Sequence, residues 1–464
     1  MKISQLEKTD TITDEDSLIV STKDGGTNLI SFSEFKDAIG GGSGPAPSAK
    51  NIYGVTWSNF LTNTKGTRTD DAASFGDPSP ALSGGSGSSP FDDIAPWSGL
   101  KKVTRGSKNV MVEIPKYWYQ WSGSGTNITL KIANYAAEGF HISPAHMDRG
   151  DGHGVRDVIY IGRYHSTIDS SVADSDAAMP GPGIDDDMNY GPANVPVIMY
   201  PNAKDPIADP VTMGYDEDPS YEMPKADVES ILGEPMVIST TGLRSLSGKN
   251  PTASQKHADA RTGSKYDTFS MMDWATWVTY QMLYLVEFAD WNSQKTIGYG
   301  VGSGSVIANG STDGMAYHTG TMASSRDAKE SRVQYRWVEN PWGNVRDWVD
   351  GVRYADDGMY TALNPASYQD TSGGKLVGKP SNGYPSALAV SESGGFQTIY
   401  PSAASGGGTD KGTCDSWYFG GSSYPCLVVG GGYSDYAYYG LFFVSDYSTS
   451  YAYAYIGSRL QELP

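Results

Sequence analysis

Cysteine is almost absent: Cys414 and Cys426 are the only two in 464 residues. A disulfide framework is therefore excluded, and two buried thiols are expected, with a single bridge as the alternative. The opening residues MKISQLEKTD lack the apolar core of a signal sequence, so synthesis in a cytosol is expected. No uncharged apolar run approaches the roughly twenty residues a membrane span needs. Cations are also scarce, with 34 Lys+Arg against 53 Asp+Glu and a net charge of −19. That balance argues against nucleic acid or an anionic membrane as the main partner. GxSxG, HExxH and P-loop motifs are missing. The glycine run at Gly298–Gly304 precedes no helix with a ribose-binding acid, so a dinucleotide site is not expected.

What the chain does have is glycine and tyrosine, 56 and 31 residues, with only 19% charged. This suits a loop-rich, sheet-dominated α+β protein. Residues 1–39 read as a small module. Ser17–Ser21 and Thr27–Ser31 flank Asp24-Gly25-Gly26 as a hairpin, and Ser33 can cap a short helix to about Ile39. So small a unit needs partner chains to bury its apolar surface. Residues 40–50 are a Gly/Pro linker by composition, and 51–464 form the body, with an elaborated insertion over about 166–261. Within the body, Val110–Ile114 and Tyr117–Trp121 read as one strand interrupted by Pro115, at a bulge or an edge. Val158–Ile161 reads as a buried strand. A helix is expected from about Asp267 to Trp291, with Met271, Trp274, Trp277, Val278, Met282, Leu285 and Phe288 on one core-facing stripe.

Few constellations suggest chemistry. His141, His146 and His153 lie near Asp148 and Asp151, but their spacing matches no closed zinc motif. Asp185-Asp186-Asp187 is read as a solvated acidic run. Arg149-Gly150-Asp151 is a chance tripeptide. Nothing points to the paired carboxylates of a glycosidase. No metal, cofactor or catalytic residue is expected.

The C-terminal stretch is different. Between Thr413 and Tyr455, less than a tenth of the chain, lie ten of the 31 tyrosines, set among Gly, Ser, Ala and Asp without any Lys, Arg or Glu. Tyrosine offers rigid amphipathic contact area, and small polar residues offer adaptable hydrogen bonds. A binding face over about 413–458 is expected, against the alternative of a purely structural tyrosine ladder. Its candidate residues are Asp415, Tyr418, Tyr433, Ser434, Asp435, Tyr436, Tyr438, Tyr439, Asp446, Tyr447, Tyr451, Tyr453 and Tyr455. The alternation Tyr451-Ala452-Tyr453-Ala454-Tyr455 puts three tyrosines on one side of an extended backbone. Leu441-Phe442-Phe443-Val444 reads as a fully buried strand beneath them.

At these residues, GGGYSDYAYYGLFF and YAYAYIGSRL, the chain resembles the variable C-termini of retroelement-diversified phage receptor-binding proteins. Asn340-Pro341-Trp342-Gly343-Asn344-Val345-Arg346-Asp347-Trp348 is similar to a core motif shared by C-type-lectin-like domains and formylglycine-generating enzymes. The resemblance implies a C-type-lectin-like body with long insertions, preceded by a hairpin that attaches to other tail proteins. It also implies a homotrimeric tail-fibre tip on the virion, whose tyrosine face recognises a bacterial surface receptor, protein or glycan. Ser434, Asp435, Tyr438, Tyr439, Tyr451, Tyr453 and Tyr455 would be diversified, while Gly440–Phe442 and Ile456–Leu460 would be fixed. The enzyme branch carries closely spaced cysteines, and Cys414 and Cys426 depart from that pattern. A calcium motif would read Glu-Pro-Asn, whereas this chain has Glu339-Asn340-Pro341. The alternatives are a capsule depolymerase or other lectin-fold enzyme, and a bacterial variable surface protein.

Overall fold

A computed structural model of the chain describes residues 17–21, 27–31, 50–59, 63–79, 87–105, 109–168, 237–238, 269–302, 307, 309–315, 332–369, 372–405, 414–421, 424–433, 435, 439–448 and 455–464. The chain divides into two compact units, Met1–Lys50 and Asn51–Pro464. In the first, Ser17–Ser21 and Thr27–Ser31 pair antiparallel, with Leu18 opposite Ile30 and Ile19 opposite Leu29. The helix expected after Ser33, the Gly40–Pro47 run and the Asp185–Asp187 run lie outside the described residues. So does the 166–261 insertion, apart from 166–168 and 237–238, where Thr167–Ile168 pairs with Val237–Ile238.

The second unit is a sheet-rich α+β body. Its larger sheet runs in the order Trp417–Tyr418, Val444–Tyr447, Cys426–Val429, Arg346–Ala355, Ile456–Glu462, Val158–His165, Asn109–Pro115, Lys101–Arg105. The smaller sheet is ordered Thr67–Asp70, Ile52–Trp57, Asn127–Ala133, Trp118–Ser124, His141–Ile142. Pro115 therefore makes neither a bulge nor an edge. It ends a strand of the larger sheet, and the chain crosses to the smaller one before Trp118. A proline cannot donate to the next ladder bond, so the crossing is placed where one is already lost.

The one long helix among the described residues, Trp274–Phe288, packs against the Arg346–Ala355 strand of the larger sheet and against Ile52–Trp57 and Asn127–Ala133 of the smaller. All fifteen of its residues are buried, so the expected single stripe is an all-round apolar helix between two sheets. It is also shorter than expected. Phe269–Met271 is a strand on Ile456–Glu462, and the helix starts only where the Asp273 carboxylate caps it by accepting from Thr276 N at 2.8 Å. Ala289, in the left-handed conformation at φ 53°, ends it. Three of the helix's polar side chains are tied off: Thr276 Oγ1 donates to Gln461, Gln281 to the Leu441 carbonyl, and Glu287 accepts from Tyr335 and Arg336.

A second apolar layer lies on the face of the larger sheet away from the helix. It contains Met111, Trp348, Val428, Phe443, Ile456 and Leu460, with Tyr439, Tyr447 and Tyr455 packed on it. The inner strands of the sheet are thus buried on both faces, which is why Cys426–Val429 (CLVV) and the start of Val158–His165 read as continuous apolar runs. No helix among the described residues is long and apolar enough to cross a membrane.

Candidate functional site

The segment Gly343–Trp348 organises the site. Gly343 sits at φ 76°, and a Cβ there would meet Val301 N at 2.5 Å, so only glycine fits. Asn344, also left-handed at φ 67°, holds three distant segments. It donates its N–H to the Val301 carbonyl, exchanges side-chain bonds with the Ile307 backbone, and accepts Tyr433 N on its own carbonyl at 2.9 Å. Strand alternation then sends Asp347 and Arg346 to opposite sides of the sheet.

Asp347 points inward. It accepts from His165 Nδ1 at 3.0 Å and from Arg459 Nε at 3.1 Å, all three being buried. Burial raises the Asp347 carboxyl, but His165 and Arg459 more than compensate and hold it below the ordinary carboxylate range. Arg459 also donates to the carbonyls of Gly162, Arg163, Glu339 and Asn340, joining three strands through one guanidinium.

Arg346 points to the outer layer and is 91% buried there by side-chain area, 9% remaining exposed. Its guanidinium pairs with both carboxylate oxygens of Asp435, Nε at 2.8 Å from Oδ2, and donates to the Tyr447 hydroxyl. Around it stand the rings of Tyr455, Phe443, Tyr447 and Tyr439, with centroids 5.0, 5.1, 5.6 and 5.8 Å away. Tyr439 packs on Phe443 at 4.2 Å, and Tyr447 stands edge-on to Trp348 at 6.1 Å.

The thirteen residues expected at the face separate into four groups. Tyr439, Tyr447 and Tyr455 are brought together and are half-buried around Arg346. Tyr418 is 59% exposed on the edge strand Trp417–Tyr418, and by its pairing with Ser445 it lies on the same side of the sheet as Tyr447. Asp415, Tyr433, Asp435 and Asp446 are buried. Tyr433 packs with Val301 and Val345. Asp435 accepts Gly432 N at 2.6 Å besides pairing with Arg346. The oxygens of Asp415 accept Gly440 N at 2.6 Å and Phe442 N at 2.9 Å. Asp446 accepts Gly420 N. Burial, outweighing these backbone donors, pushes Asp415 up to about 7 and Asp446 up to about 6. Ser434, Tyr436, Tyr438, Tyr451 and Tyr453 lie outside the described residues.

The run Leu441–Val444 is buried as expected, but it is not one strand. Leu441 and Phe442 form a turn against the helix-side core, Phe443 joins the outer layer, and the strand begins at Val444. The segment is continuously apolar because it passes between two cores.

Elsewhere, chemistry-bearing residues serve the fold. His146 hydrogen-bonds Ser143 Oγ at 2.7 Å and the Ile114 carbonyl at 2.9 Å, and burial pushes it down to about 3. Among the described residues, no group of His, Cys, Asp and Glu could hold a metal ion. Arg149 is sealed in an ion pair with Asp273, so Arg149-Gly150-Asp151 is not displayed as a tripeptide. Cys414 and Cys426 are buried thiols.

Arg346 was visible in the sequence only as part of a motif. The signal that could have found it is the lack of any cation from 413 to 455, since any buried aspartate there that stays paired with a cation must draw it from elsewhere. Comparison with known protein families and with curated proteins finds none that matches this chain.

Proposed function

We propose that this chain is a non-catalytic receptor-binding protein of a phage tail fibre, with a C-type-lectin-like body that presents a tyrosine face to a bacterial surface receptor. The observation that supports this best is the convergence of Tyr439, Tyr447 and Tyr455, from three separate segments, on one side of one sheet, with exposed Tyr418 at that sheet's edge. Asn344, Arg346 and Asp347 make the ground beneath it rigid, which lets surface side chains change while the backbone stays in place. In this reading residues 1–39 join other tail proteins, and a homotrimer multiplies weak contacts by about 10²–10⁴ through effective concentration.

The test is adsorption of fluorescently labelled protein to a panel of bacterial strains, wild type beside Tyr418→Ala. Tyr418 is the cleanest probe because Tyr439, Tyr447 and Tyr455 also carry packing. Strain-selective binding that weakens severalfold with unchanged unfolding supports the reading. Equal binding by both proteins, or none to any strain, rejects it. Shortened polysaccharide in the supernatant would instead identify a depolymerase.

A further inference from the structure

We infer that Arg346 is the positioning residue of the tyrosine face: one guanidinium sets where Tyr439, Tyr447 and Tyr455 stand, and Asp435 is its fixed counter-ion. The inference rests on that face being the contact surface. The geometry carries it. Arg346 opens a central strand of the larger sheet, where it pairs with Ile456 of the parallel Ile456–Glu462 strand, and the antiparallel ladder on the other side begins at the next residue, Asp347. From that fixed point its planar head reaches Asp435, the Tyr447 hydroxyl and the flanking rings at once. Its own backbone N–H adds a bond to the Tyr455 carbonyl at 2.8 Å. Asp435 in turn closes its own turn by accepting Gly432 N. The tyrosines therefore share an anchor in the frame, and lysine cannot replace it, because a point charge lacks the fork that holds two oxygens and the broad surface that rings flank.

It follows that position 435 is constrained even though it lies among variable-looking neighbours. A neutral residue there leaves a nearly buried guanidinium uncompensated.

Nitration of tyrosines by tetranitromethane, read by peptide mass spectrometry, tests this without any receptor. Exposed Tyr418 is the internal reference, and Tyr117, buried in the helix-side core, reports general unfolding. In Arg346→Met, nitration at Tyr439, Tyr447 and Tyr455 relative to Tyr418 is expected to rise about tenfold, the factor implied by losing a charge-assisted anchor. Tyr117 stays protected. Arg346→Lys gives a smaller rise in the same direction, and decides the matter if Arg346→Met does not fold. Unchanged ratios overturn the inference. So does a rise at Tyr117 that keeps pace with the face, or failure of both variants to fold, since either makes Arg346 a general stability residue. If the ratios change as expected while no strain binds the wild type, the receptor reading falls and the role of Arg346 stands.

Discussion

Two of the body's buried arginine–aspartate pairs, Arg149–Asp273 and Arg346–Asp435, share a chemistry and differ in their surroundings. Arg149 and Asp273 have no exposed side-chain surface at all. Tyr368, Gln461 and the N-terminus of the helix add further hydrogen bonds to Asp273. Arg346 and Asp435 keep 9% and 6% exposed, and the partners that complete them are tyrosines from the C-terminal stretch. The first pair is closed by core elements and fixes where the central helix begins. The second is closed by the surface loops themselves, so it transmits the order of the sheet to the face. The same ion pair serves as foundation in one place and as mounting in the other.

Breaking the pairs should separate them. Asp273→Ala strands Arg149 and removes the helix cap, and is expected to cost about 3–5 kcal/mol in urea unfolding. Asp435→Ala strands an arginine that still reaches solvent, and should cost about 2 kcal/mol. Replacing both partners, as Arg346→Met with Asp435→Leu, should recover much of that loss, because a buried pair exchanged for apolar contact is often neutral. Equal costs for Asp273→Ala and Asp435→Ala would erase the distinction between the two environments.

The carboxyls that fix the loop backbone sharpen the comparison through pH. Asp415 and Asp446, raised by burial to about 7 and about 6, favour the protonated folded state. Their contribution is complete below the unfolded carboxylate value, near 4, and is lost as pH rises through 6–7. His146, held neutral down to about 3, acts in the opposite sense, its contribution being lost as pH falls below about 6.5. The measurement is therefore a difference between proteins. Asp415→Asn loses one backbone bond, about 1 kcal/mol, and its unfolding midpoint should fall less between pH 4 and 8 than that of the wild type. Parallel curves would show that Asp415 does not titrate in this range. The smallest effect belongs to Tyr418→Ala, within about 0.5 kcal/mol of wild-type stability.

Much of the frame was legible. The Ser17–Ser31 hairpin, the buried strand at Val158 and the helix at Trp274 follow from turn residues and apolar periodicity, which act over a few positions. The misreadings came from longer range. Met271 continues the helical spacing, yet it belongs to a strand because the Ile456–Glu462 strand offers it a ladder. Pro115 looked like an irregularity in one sheet because nothing local reveals that two sheets meet there. In the tyrosine stretch, composition singled out Tyr418, Tyr439, Tyr447 and Tyr455, which lie on one side of the larger sheet, but a lone aspartate between tyrosines reads the same whether it faces water or an arginine. The partner of Asp435 is 89 residues away, beyond the reach of any local pattern.

Residues 456–462 sit in the middle of the larger sheet, between strands that begin at Arg346 and Val158. On the ribosome, everything upstream must wait with that slot vacant, because neither neighbour can pair across it. Closure then joins positions as far apart as Arg105 and Glu462, and such non-local pairing points to slow folding. Any message cut short before Ile456 yields a polypeptide that carries most of the tyrosines and has no ordered surface to mount them on.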